Sequence, residues 1–234
     1  MSDPGPVPRF AVVTGGAGTI GSSIVRALES SGHATLILDR GGESPVDLGD
    51  EHQVRAAART VLERHGRCDI LVHAAAAFDR ADLAAADLAT WRRVQAVNVE
   101  SALLLAQAFT PGMAARGFGR IIFVVSDTVW YQPRGDMLPY VTSKGALVAL
   151  ARTLAVGLGG DGIAVTCVAP GLTATPAAQA GMPAAAFGDV RARQALPRTL
   201  VPGDVAATVC FLASDGAAAL TGQTLCVDGG LVMR

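Results

Sequence analysis

The sequence predicts an α/β fold: a doubly wound parallel sheet with helices packed on both faces, three layers in all. Three observations predict it. Six short apolar runs lack the polar alternation of a strand with one wet face, so each reads as buried on both sides. Helical patterns separate them, as joining parallel strands requires. The first run ends in four glycines within positions 15 to 21.

The elements follow in order. "FAVVT" (10–14) is the first strand, and "IGSSIVRALESSG" places Ile20, Ile24, Val25 and Leu28 at helical spacing. "ATLILD" (34–39), "CDILVHAAAA" (68–77), "GRIIFVVS" (119–126), "GIAVTCVAP" (162–170) and "GQTLCVDGG" (222–230) are the remaining strands. Helical patterns cover 50–65, 90–116, 139–158 and 203–213. The sum is a Rossmann-type sheet. One connection is too short: Asp39 to Val46 spans seven positions, whereas a parallel crossover needs a dozen or more residues. The second crossover helix is therefore expected to be absent, and the sheet edge beyond strand 2 shortened or missing.

Bulk properties bound the function. The chain has 234 residues, half of them hydrophobic, a formal net charge of −1 and a mean hydropathy of +0.39. That composition suits one globular domain over 9–234 with a loose tail at 1–8, and not a nucleic-acid binder or a protein held on anionic membranes. Cys68, Cys167, Cys210 and Cys226 show no C-x-x-C spacing and no neighbouring His, so neither a metal site nor a disulfide framework is expected. Buried thiols in a reducing cytoplasm are the simpler reading. The uncharged stretch 162–188 is broken by Pro170, Pro176 and Pro183 and is not a membrane span.

The glycine run follows a strand and opens a helix, the context in which glycines let a pyrophosphate approach uncapped helix N–H groups. Gly15, Gly18 and Gly21 form one spacing, Gly16, Gly18 and Gly21 another; alone, either is equally a structural turn. Asp39 ends strand 2, where a carboxylate accepts from ribose hydroxyls and repels a 2′-phosphate. It favours NAD, while Arg40 beside it can support NADP. Tyr140 and Lys144 in "YVTSK" lie on one helix face, so a cation can bring the phenol toward its working pKa. Y-x-x-x-K is a cheap motif, strengthened here by opening the helix after the strand that ends at Ser126.

Taken together, "TGGAGTIG" (14–21), Asp39, Asp47, "NV" (98–99), "GRIIFVVS", "YVTSK", "PGLTAT" (170–175) and "FLASDGAAALTGQTLCVDGG" (211–230) resemble the short-chain dehydrogenase/reductase family, in its compact single-domain branch, over about residues 9 to 232. The tail from "ALPRTLVPGD" onward is more loosely similar to bacterial aryl-alcohol (1-phenylethanol type) dehydrogenases. The resemblance implies that Ser126 polarises a carbonyl and Tyr140 moves its proton. Lys144 would lower the Tyr140 pKa and hold the nicotinamide ribose, and Asn98 would anchor a water relaying protons to Lys144. It implies cofactor contacts at Gly15, Gly18, Thr19, Ile20, Gly21, Asp39, Arg40, Asp47, Leu48, Ala74, Ala75, Pro170, Gly171, Leu172, Thr173 and Thr175, besides Tyr140 and Lys144.

Four departures stand out. Thr19 replaces the usual middle glycine; His73-Ala74-Ala75-Ala76 replaces N-N-A-G; the Ser126–Tyr140 gap is one residue long; and the short crossover should leave the adenine pocket open. His73 reads as a core or cofactor-lining residue rather than a catalytic one.

Substrate is expected to meet 127–139 and a mobile, lid-like 177–197, with Trp130, Tyr131, Met137, Met182 and Phe187 lining an apolar pocket or serving as core and interface. Arg134 and Asp136 read as solvent-exposed. The expected reaction is hydride transfer between NAD and a hydrophobic secondary alcohol or ketone. An NADPH-dependent biosynthetic ketoreductase and a non-catalytic dinucleotide-binding regulator are the alternatives. The apolar helices 90–116 and 139–158 suggest a homotetramer or homodimer.

Overall fold

The computed structural model describes residues 8–41 and 45–233; most of the tail, residues 1–7, lies outside it. Six parallel strands form one sheet: β1 (Phe10–Thr14), β2 (Ala34–Leu38), β3 (Ile70–His73), β4 (Gly119–Val124), β5 (Ile163–Pro170) and β6 (Thr224–Val227). Their spatial order is β2-β1-β3-β4-β5-β6. The chain reverses its direction of winding between β2 and β3, on either side of β1, and open α/β sheets bind ligands at that point.

Helices cover both faces. α1 (Thr19–Ser30) and α8 (Pro202–Ala213) bury Ile24, Leu28, Val205 and Val209 against one side of the sheet. α2 (Glu51–His65), α4 (Ser101–Arg116) and α5 (Leu138–Leu158) bury Val54, Leu105, Phe109 and Leu147 against the other. Each such side chain is worth about 2–3 kcal/mol of burial. By length and composition α5 could cross a membrane, but it packs against β4 and β5 with Ser143, Lys144, Leu147 and Ala151 buried.

β2 is the sheet edge, and no helix separates it from α2 among the described residues; residues 42–44 of the short crossover lie outside them. The Val46 N–H donates to the Asp39 carbonyl at 3.1 Å, and Asp50 then caps α2 by accepting from the His52 and Gln53 N–H groups.

Three segments differ from expectation. β3 is four residues, not ten, because after His73 the chain leaves the ladder and its N–H groups turn to side chains: Ala75 to Thr14 and Ala77 to Asn98. The helical pattern 90–116 is α3 (Leu88–Gln95), a π turn (Ala96–Glu100) and α4, with Asn98 buried in the π turn. Such turns concentrate at functional sites. The lid-like segment holds two short helices, α6 (Pro176–Gly181) and α7 (Ala184–Arg193), for which Ala supplies propensity.

Candidate active site

The glycine loop is built for close approach. Gly15 has φ +69°, and a Cβ there would fall 2.7 Å from the Ala75 backbone; one on Gly21 would fall 2.1 Å from the Gly15 carbonyl oxygen. Gly18, at φ −75°, is the N-cap of α1 and offers no side chain to its first N–H groups. The Thr19 departure is thereby explained, since residue 19 is simply the first of the helix. The uncapped N-terminus faces a cavity of about 820 Å³, within the ~300–1,000 Å³ usual for ligand sites.

Asp39, Arg40, Asp47, Leu48, Ala74, Ala75 and Thr175 line the same cavity, as the sequence predicts for cofactor contacts. Both Asp39 carboxylate oxygens are anchored, Oδ2 by the Ala17 N–H at 3.1 Å and Oδ1 by the Gly41 N–H at 3.3 Å. Free N–H groups, a fixed carboxylate and the space a Cβ would fill suit a dinucleotide: pyrophosphate on α1, adenosine ribose on Asp39. Pro170, Gly171, Leu172 and Thr173 continue from β5, where the Gly171 N–H binds the Val227 carbonyl at 2.9 Å.

Beyond this cavity the remaining predicted residues converge. Ser126 leaves β4, and Thr128 donates to its Oγ through both Oγ1 (2.9 Å) and N–H (3.3 Å). The Ser126–Tyr140 gap opens with a single 3₁₀ turn (Asp127–Val129), followed by a loop to α5. The Tyr140 phenol is hydrogen-bonded to Ser126. Lys144, one helical turn on, is fully buried; its Nζ donates to the Val124 carbonyl at 2.7 Å and lies 5.5 Å from the Tyr140 ring centroid.

Asn98 joins the group through its side chain. Nδ2 donates to Ser143 Oγ at 2.8 Å and to the Ala77 carbonyl, Oδ1 accepts the Ala77 N–H at 2.7 Å, and Ser143 Oγ donates to the Tyr140 carbonyl at 2.6 Å. The Asn98 carbonyl accepts from His73 Nε2 at 3.1 Å. Burial and the Lys144 charge push His73 down to about 3, so it is neutral and Nε2 carries its proton. Nδ1 is then an acceptor, and Thr14 Oγ1 donates to it at 2.9 Å while itself accepting the Ala75 N–H. His73 thus occupies the core and ties β1 to the π turn.

One electrostatic expectation is corrected. Tyr140 is not lowered in this geometry: burial, with a smaller push from Asp127, raises it to about 12 against the Ser126 hydrogen bond. The Lys144 cation sits over the ring and its proton donation is directed at Val124, while burial brings its own pKa down to about 8.

The predicted substrate residues are less gathered. Trp130 packs on the core, Tyr131 lies under the Arg193 guanidinium at 5.2 Å, and Met137 pairs with Ala81 in an isolated bridge. Met182 and Phe187 are half-buried at the end of α6 and in α7. Arg134 and Asp136 form an ion pair with each other. Sequence reading missed Phe78, whose ring meets Tyr140 edge-on at 4.6 Å; a lone aromatic in a loop carries no periodic signal. It also missed Asp127 and Asp228, buried carboxyl groups from the ends of β4 and β6.

Fold and site define a dinucleotide-dependent oxidoreductase, and comparison with known proteins gives the family. Residues 15–232 match the family model described as enoyl-(acyl carrier protein) reductase. The chain is 33% identical to a probable short-chain type dehydrogenase/reductase of Bradyrhizobium diazoefficiens, over 96% of this chain and 87% of that protein. It is 34% identical to the cis-4-hydroxycyclohexanecarboxylate dehydrogenase of Sinomonas cyclohexanicum, over 95% and 96%. A gluconate 5-dehydrogenase from Burkholderia cenocepacia, solved with NADP and tartrate, superposes with a TM-score of 0.90 at 31% identity, over 98% of this chain and 97% of that one. The chain belongs to the short-chain dehydrogenase/reductase family and is an NAD(P)-dependent oxidoreductase.

Proposed function

We propose that this enzyme interconverts a hydrophobic secondary alcohol and its ketone with NAD(H), using Ser126, Tyr140, Lys144 and Asn98. The observation that carries the reading is the meeting of Ser126, Tyr140 and Lys144 beyond the glycine-loop cavity. A bound nicotinamide supplies or takes the hydride. In reduction Ser126 Oγ–H binds the carbonyl oxygen, and Tyr140 O–H delivers the proton to it; in oxidation the phenolate takes that proton back. A phenol near 12 is protonated at neutral pH and is thereby set for reduction. Lys144 supplies the nearby positive charge, and Asn98 fixes the Tyr140 backbone through Ser143.

Preference for NAD is supported by the anchored Asp39 carboxylate, which repels a 2′-phosphate. A second reading, an NADPH-dependent ketoreductase, is favoured by Arg40, Arg92 and Arg93 around the same cavity. Substrate apolarity is supported by Phe78 against Tyr140 and by half-buried Trp130, Tyr131, Met137, Met182 and Phe187. The substrate in the Sinomonas relative's name has the secondary ring alcohol of the proposed class, joined there to a carboxylate. A homotetramer or homodimer is supported by apolar Leu103 and Val156, exposed on α4 and α5. Reduction of aryl and cyclic ketones with NADH against NADPH tests the reading. Strong NADPH preference overturns the role of Asp39, and undiminished turnover in Tyr140→Phe overturns the catalytic assignment.

A further inference from the structure

The carboxyl group beside Ser126 has no place in the mechanism so far. Asp127 is 5% exposed and makes no ion pair with a Lys, Arg or His among the described residues. Its Oδ1 lies 3.4 Å from Ser126 Oγ. On its other side stand Gly171 and Asp228. A Cβ on Gly171 would fall 2.8 Å from Asp228 Cβ and 3.2 Å from Asp127 Oδ2, so the glycine lets the two acidic side chains draw together. Asp228 is itself held, accepting from the Gly230 and Val232 N–H groups at 2.9 Å each.

A serine hydroxyl has one proton and two lone pairs. Thr128 aims two donors at Ser126 Oγ, and the Tyr140 phenol is a further partner. With both lone pairs met by Thr128, the single Ser126 proton has three destinations: the Tyr140 phenol oxygen, Asp127 Oδ1, or the carbonyl oxygen of a bound ketone. An ionised carboxylate is the stronger acceptor and a neutral carboxyl the weaker. The 3.4 Å contact is long enough for the substrate to compete.

We propose that Asp127 is a positioning residue that gates the Ser126 hydroxyl: ionised, it draws the Ser126 proton away from the substrate carbonyl, and neutral, it releases that proton to the carbonyl. The proposal rests on the ketoreductase reading above. The titratable groups facing Asp127 are Asp228 after β6 and Tyr140 on α5. Burial first, and the Asp228 charge second, push the Asp127 carboxyl up to about 7, against the Ser126 hydrogen bond. The gate then works within the physiological range. Ketone reduction is faster below it and slower above it.

The test is kcat for ketone reduction between pH 5.5 and 9 in the wild type and Asp127→Asn, each with a cofactor-binding control. The wild type is expected to lose activity through an inflection near 7, before the decline due to Lys144 near 8. Asp127→Asn is expected to lack the first inflection and, above pH 8, to match or exceed the wild type. An Asp127→Asn enzyme that keeps the inflection, or that binds cofactor normally and is inactive at every pH, overturns the proposal. A ¹³C-aspartate NMR titration of the wild type needs neither turnover nor a folded variant. One carboxyl titrating near 7 supports the gate, and none between 5.5 and 8.5 overturns it. Failure of the ketoreductase reading shows separately, as unchanged turnover in Tyr140→Phe.

Discussion

Two buried polar clusters flank Tyr140, and they are built on opposite plans. On one side Thr14, His73, Asn98 and Ser143 form a chain in which each donor meets an acceptor, from the first strand to the Tyr140 backbone. On the other, Ser126 lies against Asp127, with Asp228 behind it, where acceptors crowd together without an ion pair among the described residues. A matched network fixes geometry, because any displacement strands a buried polar group. A mismatched one stores a titration, because like charges in a dry site cannot both ionise easily. The first cluster sets where the phenol stands, and the second sets which protons the site has.

The largest effect is expected where both clusters meet. Tyr140→Phe keeps the ring against Phe78 and removes the proton, so kcat for ketone reduction should fall roughly 10²–10⁴-fold with little change in cofactor affinity; steady-state kinetics with a binding titration check it. His73→Phe should break the matched cluster by stranding Thr14 Oγ1 and the Asn98 carbonyl. A loss of roughly 2–4 kcal/mol in denaturant unfolding is expected, and His73→Asn should recover part of it.

The clusters also predict opposite pH responses of stability. His73 is lowered in the folded chain, so its contribution is present above the unfolded value of 6.5 and lost as pH falls from there toward 3. Asp127 is raised, so its contribution is present below the unfolded value of 3.8 and lost as pH rises through about 7. Each slope is at most about 1.4 kcal/mol per pH unit. Unfolding midpoints across pH 4 to 8 should show the acid-side loss flattened in His73→Asn and the neutral-side loss flattened in Asp127→Asn. The smallest effect is expected from Asp228→Asn. Removing that charge should move the Asp127 titration down by on the order of one unit, read by the same carboxyl signal.

Much of the frame was legible in the sequence. The six strands, the edge position of strand 2 and the pairing of Tyr140 with Lys144 follow from period, spacing and the reach of a chain. The glycine loop was legible as a cradle, because only glycine tolerates the approach of Gly15 to Ala75 and of Gly21 to Gly15. The π turn within 90–116 was not, since no proline or glycine interrupts the sequence there and only the buried bonds of Asn98 mark it. Nor were the short helices of 176–193, where alanine fits a helix and a loop alike.

By itself the sequence determined the parallel sheet, and it marked the glycine loop, Asp39 and the Tyr140–Lys144 spacing, because each of these depends on neighbours in the chain or on a fixed period. The tertiary structure alone decided which protons these groups hold. Tyr140 stands near 12 rather than lowered, His73 is a neutral tie between strand and π turn, and Asp127 titrates near neutrality. Those states depend on burial and on partners such as Asn98 and Asp228, 25 and 101 positions away, which only folding brings within range.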